Sequence, residues 1–205
     1  MDKVNKKSDL AVNSEMGNRI MKLNLGCGSF KKDGYINVDI RKEVNPDLVV
    51  DLNKFPYPFK DNTFDLVEAF HVLEHLNSPF EAMFELHRIL KNGGELKIAV
   101  PHCSRGFSHP EHKAGFDVTF PYYFDPKYPQ YFYGKEFKLK KLRLNWLGQK
   151  YLRKQHLSKL TFFTLEVMDR FISFFANLNP LLCAKLWCYW VGGFDEIYME
   201  FICVK

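Results

Sequence analysis

Between residues 22 and 40 the chain reads Lys22-Leu23-Asn24-Leu25-Gly26-Cys27-Gly28, then Tyr35-Ile36-Asn37-Val38-Asp39-Ile40. An apolar strand runs into a Gly-x-Gly turn, and a second short strand ends in an acid. Glycine lets the backbone approach a bound molecule with no Cβ in the way, and an acid at the end of the next strand is placed to grip a ribose diol. Together they describe a nucleoside pocket at the carboxyl ends of parallel strands. Only residues 29–34 separate Gly28 from Tyr35. Parallel neighbours are normally joined by a dozen or more residues. A full helix does not fit, so the spacing predicts a tight irregular crossover or a second strand that starts late.

The rest of the chain extends the alternation. Strands are predicted at 22–25, 35–40, 47–51, 64–70 and 95–100. A helix is predicted over 79–90, with Ser78 as N-cap, Pro79 at the first helical position and Asn92-Gly93-Gly94 as its stop. Residues 102–134 are rich in His, Pro, Tyr and Phe and read as a long lid or binding loop. The lysine-studded stretch 137–146 reads as an edge strand. An aromatic amphipathic helix follows at 160–178, then an apolar stretch at 180–193 and a last strand at 196–204. Strands alternating with helical or turn segments predict an α/β fold with a mainly parallel sheet.

At 205 residues the chain suits one domain. The net charge of +5 is too small to imply nucleic acid without a localised patch. Five scattered cysteines with no Cys-x-x-Cys read as reduced thiols, which suits a cytoplasmic setting. The polar N-terminus lacks a signal-peptide core, and no window reaches the roughly 18 uninterrupted apolar residues of a membrane span.

Taken in order, Leu25-Gly26-Cys27-Gly28, Asn37-Val38-Asp39-Ile40, Asp51-Leu52, Phe64-Asp65-Leu66-Val67, His71-x-x-Glu74-His75-Leu76 and Leu90-Lys91-x-Gly93-Gly94 resemble the class I S-adenosylmethionine-dependent methyltransferases, most closely the type 11 branch. The resemblance covers about residues 21–101. It implies a doubly wound, Rossmann-like seven-stranded sheet, mainly parallel, with an antiparallel C-terminal strand and helices on both faces. On that reading residues 1–205 form one domain: a flexible tail at 1–20, a cofactor-binding half at 21–101 and a substrate-side, sheet-closing half at 102–205. It also implies S-adenosylmethionine as cofactor and S-adenosylhomocysteine as product. Gly26, Cys27 and Gly28 then face the methionine part, Asp39 with Ile40 the ribose, Asp51 with Leu52 the adenine, and His71 the sulfonium. Asp65, Glu74 and His75 read as structural residues.

No catalytic signature is recognisable after Pro101. His109 and His112, in a His-Pro-Glu-His loop, are the candidate general bases beside an acceptor pocket. Tyr122 and Tyr123 either line that pocket or pack the lid. His102, Cys103, His109 and His112 offer zinc-type ligands, but their spacing matches no standard site, so no metal is expected. The basic run Lys135, Lys138, Lys140, Lys141, Arg143, Lys150, Arg153, Lys154 and Lys159 is either a solvated edge or a docking surface for anions. The helix after it can rest on a membrane interface, but packing against the sheet is the expected use. Its apolar surface suits a homodimer equally well.

The reading that follows is methyl transfer to O, N or C of a small or amphipathic acceptor, such as a glycan or lipid-linked intermediate. Two alternatives stand beside it, a non-catalytic cofactor-binding partner and an RNA methyltransferase. The lack of an aromatic-basic RNA module disfavours the second. A nicotinamide dehydrogenase is disfavoured because Ser29-Phe30-Lys31 follows Gly28 where a third glycine is needed.

Overall fold

The computed structural model describes residues 20–106 and 109–205. The predicted tail, up to residue 19, lies outside the described residues. Seven strands form one sheet: β1 (Lys22–Leu25), β2 (Ile36–Asp39), β3 (Leu48–Val49), β4 (Phe64–Phe70), β5 (Leu90–Pro101), β6 (Phe137–Asn145) and β7 (Glu196–Cys203). Their order is β3-β2-β1-β4-β5-β7-β6. The first five pair in parallel, and β7 inserts antiparallel between β5 and β6. The helices are α1 (Pro79–Ile89), α2 (Cys103–Gly106), α3 (Lys150–His156), α4 (Lys159–Ala176) and α5 (Pro180–Lys185). This is the Rossmann-like arrangement that the resemblance implied.

Leu23, Asn24 and Leu25 are buried in succession, as are Val67, Glu68 and Ala69, because the central strands are covered on both faces. Each fully buried leucine contributes about 1.5–3 kcal/mol. Glu68 is tolerated there because Lys32 and Lys97 face it. The β1–β2 connection is the tight crossover predicted. Cys27 N–H donates to the Val38 carbonyl at 2.9 Å, closing the turn against β2. The predicted third strand shrinks to Leu48–Val49, although the Asp47 and Val50 amides still donate to Asn37 and Asp39.

Ser78 caps α1 by accepting from the Glu81 amide at 3.3 Å, a contact worth about 1 kcal/mol. The helix stop is a correction. It falls at Ile89, and Leu90 to Gly94 belong to β5. Leu90 is fully buried opposite Phe64, and Gly94 sits where a Cβ would lie 3.2 Å from the Phe64 carbonyl. The glycines accommodate the irregular register there instead of ending the helix.

Two further expectations change. The stretch 102–134 is not a lid over its whole length. Phe116, Val118, Phe120 and Phe124 are buried, and Phe80 of α1 packs on Phe120 and Phe124. The amphipathic helix also does not pack its aromatic face on the sheet. Helix α4 turns Asp169, Ser173 and Ala176 inward and leaves Phe163, Phe171, Phe174 and Phe175 exposed. Asp169 Oδ1 accepts from the Leu147 amide at 2.9 Å, Ser173 Oγ from the Trp146 amide at 3.1 Å, and Asn177 Oδ1 from the Leu144 amide at 2.8 Å. The helix therefore satisfies the backbone at the end of β6 with polar groups spaced four residues apart.

Candidate functional site

The strand order reverses between β1 and β4, so a crevice opens beyond their carboxyl ends. Gly26 and Gly28 form its floor with φ of +64° and +51°. At Gly26 a Cβ would lie 2.5 Å from Val72 Cγ2, so glycine is required there by packing as well as by conformation. Asp39 ends β2 almost fully buried. Its carboxylate accepts from the Gly28 amide at 2.8 Å and from the Arg41 amide at 2.9 Å, with Arg41 Nε at 3.3 Å. Burial alone would raise its pKa, but the bonds from Arg41 and Gly28 hold it below the ordinary carboxylate value. Asp39 is thus an anion fixed to the turn.

The cleft above this floor has a volume of about 590 Å³, within the range of ligand pockets. Gly26, Cys27, Gly28, Lys32, Phe70 and His71 are among its walls. Asp39 does not line it but is bonded to Gly28 and Arg41, which do. Ile40, Asp51 and Leu52 do not line it either. Ile40 is exposed. Asp51 Oδ1 accepts from the Asn53 amide at 3.1 Å, and that bond pulls its pKa below the usual value. The Leu52 carbonyl accepts from the Tyr57 hydroxyl at 3.2 Å. The first-strand half of the predicted site therefore comes together on the wall with His71, and the adenine half, Asp51 and Leu52, is not brought onto it.

A second cleft of about 780 Å³ adjoins the first. Its walls include Glu74, His75, His109, Glu111 and His112, and it shares His71, Gln149 and Glu196 with its neighbour. His71 has φ +55° and Gln149 φ +45°. Among the described residues the other non-glycine positive-φ positions are Asn45 and Asn62, a residue type that tolerates this conformation better. Strained backbone is therefore concentrated where the clefts meet. The His71 ring bridges two carboxylates, with Nδ1 at 3.3 Å from Glu74 and Nε2 at 3.0 Å from Glu196. Burial would lower its pKa, but the bonds to Glu196 and Glu74 carry it up to about 9. Glu196 also accepts from Asn145 Nδ2 at 2.6 Å, and it is held below its ordinary value by His71 and Asn145 against the effect of burial.

His109 and His112 reach the second cleft and stack at 4.5 Å. Tyr122 stacks on Tyr128 at 4.2 Å, and Tyr123 packs on Phe80 and Tyr133. Neither tyrosine lines a cleft, so both pack the segment. The four zinc-type residues do not converge. His102 is buried against Ser104 at 2.7 Å, and Cys103 is exposed. Sequence reasoning missed Glu196, Gln149 and the Arg105–Asp195–Arg153 cluster, with N–O distances of 2.9 and 2.5 Å. Those residues come from the C-terminal half, where no motif marks them; only the Gly192-Gly193 turn before Asp195 hints at a site.

Residues 33–98 match a family described as a methyltransferase domain, type 11. An uncharacterized methyltransferase of Schizosaccharomyces pombe is 50% identical over 40 residues, which are 20% of this chain and 14% of that protein. The matches span less than a fifth of the length of such curated relatives. The crystal structure of the cyclase SpnF superposes with a TM-score of 0.53 at 15% identity, over 96% of this chain and 79% of that one. An S-adenosylmethionine-dependent methyltransferase of Mesorhizobium loti superposes with a TM-score of 0.52 at 12% identity, over 89% and 90%. At such identities the two structures share the fold alone.

Proposed function

We propose that this chain, which carries the class I methyltransferase fold and matches the type 11 methyltransferase domain over residues 33–98, is an S-adenosylmethionine-dependent methyltransferase acting on an amphipathic acceptor. One observation carries the reading: two clefts meet at His71, Gln149 and Glu196 at the carboxyl ends of β1 and β4. The glycine turn and the Asp39 carboxylate fit a nucleoside. Lys32, Arg41 and Glu196 give the first cleft both signs of charge, which suits an amino acid end. A bound sulfonium cofactor supplies an activated methyl group.

The chain's own groups then position and exclude water. Asp39, bonded to the cleft-lining Gly28 and Arg41, would hold the ribose diol, and the glycine turn would let the cofactor approach the backbone. The His71–Glu196 pair fixes the wall between donor and acceptor, where orientation alone is worth up to about 7–11 kcal/mol in the best intramolecular cases. For a hydroxyl acceptor, His109 or His112 takes the proton; an amine needs only desolvation. Incubation with methyl-tritiated S-adenosylmethionine and extracts partitioned between water and organic solvent tests this. Label transferred to an acceptor in the organic phase supports it, and label that stays entirely on the cofactor contradicts it.

The amphipathic character of the acceptor rests on α4 and α5. Leu160, Phe163, Phe171, Phe174, Leu182 and Trp190 are exposed, and Lys154, Lys159, Arg170 and Lys185 of the same C-terminal segment are exposed too. Helix α3, which borders both clefts, is tied to α4 by Lys150–Asp169 at 2.6 Å. Exposed aromatic and apolar side chains on a segment that also exposes cations fit an anionic bilayer surface. Flotation with phosphatidylglycerol vesicles should recover the protein, and phosphatidylcholine vesicles should not. Concentration-dependent dimerisation without flotation would assign the face to a second copy.

A further inference from the structure

The second cleft contains a set of groups of which methyl transfer as described uses His112 alone, and that one only as an alternative to His109. Glu74 lies in a 3-10 turn, Leu73–His75, with only 1% of its surface exposed. Apart from the His71 ring, no group among the described residues donates to either of its carboxylate oxygens. Its cationic neighbour is His71 Nδ1 at 3.3 Å, and that ring is shared with Glu196. A buried carboxylate left so poorly satisfied costs free energy unless a further positive group meets it.

Two imidazoles converge on the same point. Ligand atoms of Glu74, His75 and His112 all lie within 4.8 Å of one another. His75 Nδ1 is 3.2 Å from the Glu111 carbonyl. Donating there leaves Nε2 as the ligand nitrogen, the outer-shell arrangement usual for metal-bound histidine. The segment that carries His112 is pinned to the turn that carries Glu74. The Lys113 amide donates to the Glu74 carbonyl at 2.7 Å, and the His112 ring sits edge-on to His75 at 5.0 Å. Residues far apart in sequence are thus held in place by backbone bonds.

We propose that Glu74, His75 and His112 bind a divalent transition cation on the wall of the second cleft. Two imidazoles and one carboxylate suit Mn2+, Fe2+, Co2+ or Zn2+. Three protein ligands leave positions open to the cleft, as catalytic sites do. The role of the ion rests on the methyltransferase reading: it holds and polarises an acceptor oxygen beside the donor cleft. His112 then serves as a ligand, and His109, stacked on it, is left as the proton acceptor.

Cobalt(II) is titrated into the chelator-stripped protein and followed by its visible absorption and by calorimetry. The expected result is one equivalent bound at micromolar Kd or tighter. Affinity should fall at least tenfold in His112→Ala and in Glu74→Gln, and stay unchanged in His156→Ala, an exposed histidine on α3. His112→Ala keeps the test open if Glu74→Gln fails to fold. No stoichiometric binding, binding indifferent to His112→Ala, or equal loss in His156→Ala overturns the site. S-adenosylhomocysteine is titrated into the same stripped protein. Its binding there separates failure of the cation site from failure of the methyltransferase reading.

Discussion

The Gly28 amide donates to the Asp39 carboxylate across 2.8 Å, joining the turn after β1 to the end of β2. The two residues that sequence alone marks as a nucleoside signature are thus bonded before any ligand arrives. The turn is preorganised, and its acid is already charged.

That preorganisation predicts a steep cost at Gly26. Alanine there would place Cβ 2.5 Å from Val72 Cγ2 at a φ of +64°. Gly26→Ala should lower stability by about 1–3 kcal/mol, read as a lower urea midpoint. Val72→Ala in the same chain should recover part of that loss, because it removes the clash and leaves the φ strain.

Gln149 is predicted to be strained in the service of the site. It adopts φ +45° at the start of α3, on the wall of both clefts. Gln149→Gly relieves a conformation that costs an L-residue about 1–2 kcal/mol. It should hold or raise the unfolding temperature while weakening ligand binding. An unchanged affinity would show that the side chain does not contribute to the pocket.

Much of this was legible in the sequence. The succession of strands along the chain, the crossover too short for a helix and the Ser78 cap all follow from local spacing and turn chemistry, while the seven-stranded arrangement followed from the family resemblance. Residues that act by being brought together from afar were not legible. Glu196 meets His71 only because β7 inserts beside β5. The face of α4 was misread because Asp169 and Ser173, its polar minority, bond the backbone at the end of β6. Periodicity identifies an apolar face but not which face the chain will bury.

The same inversion of α4 separates stability from surface binding. Asp169→Ala removes the acceptor for the Leu147 amide and the partner of Lys150. It should cost about 1–3 kcal/mol, as for a buried donor left unpaired. Phe171→Ser and Phe174→Ser on the outer face should change stability by no more than about 0.5 kcal/mol and abolish vesicle flotation.

Two histidines make the fold sensitive to acid. Burial lowers the pKa of His87, whose Nε2 donates to the Val204 carbonyl at 2.8 Å, and of His102. A histidine depressed in the folded state contributes stability that is complete above its unfolded pKa of 6.5 and lost as pH falls below it. His71, held up to about 9, gains stability over the same window, so the His87 contribution is read as a difference. His87→Gln keeps a donor and removes that titration, so between about pH 7.5 and 5.5 the wild-type urea midpoint should fall relative to that of the variant. Parallel profiles would show that His87 does not titrate differently on folding.

The central claim is a nucleoside cofactor held by the turn and its acid. Calorimetric titration of S-adenosylhomocysteine into the wild type, beside Asp39→Asn, tests it most directly. Asparagine keeps the size of the side chain but removes the charge that grips the diol. The account predicts one site of roughly micromolar affinity, about −8 kcal/mol, weakened at least tenfold in the variant while both proteins unfold cooperatively. A folded wild type that binds neither S-adenosylhomocysteine nor S-adenosylmethionine, or a variant that binds as tightly as the wild type, would contradict it.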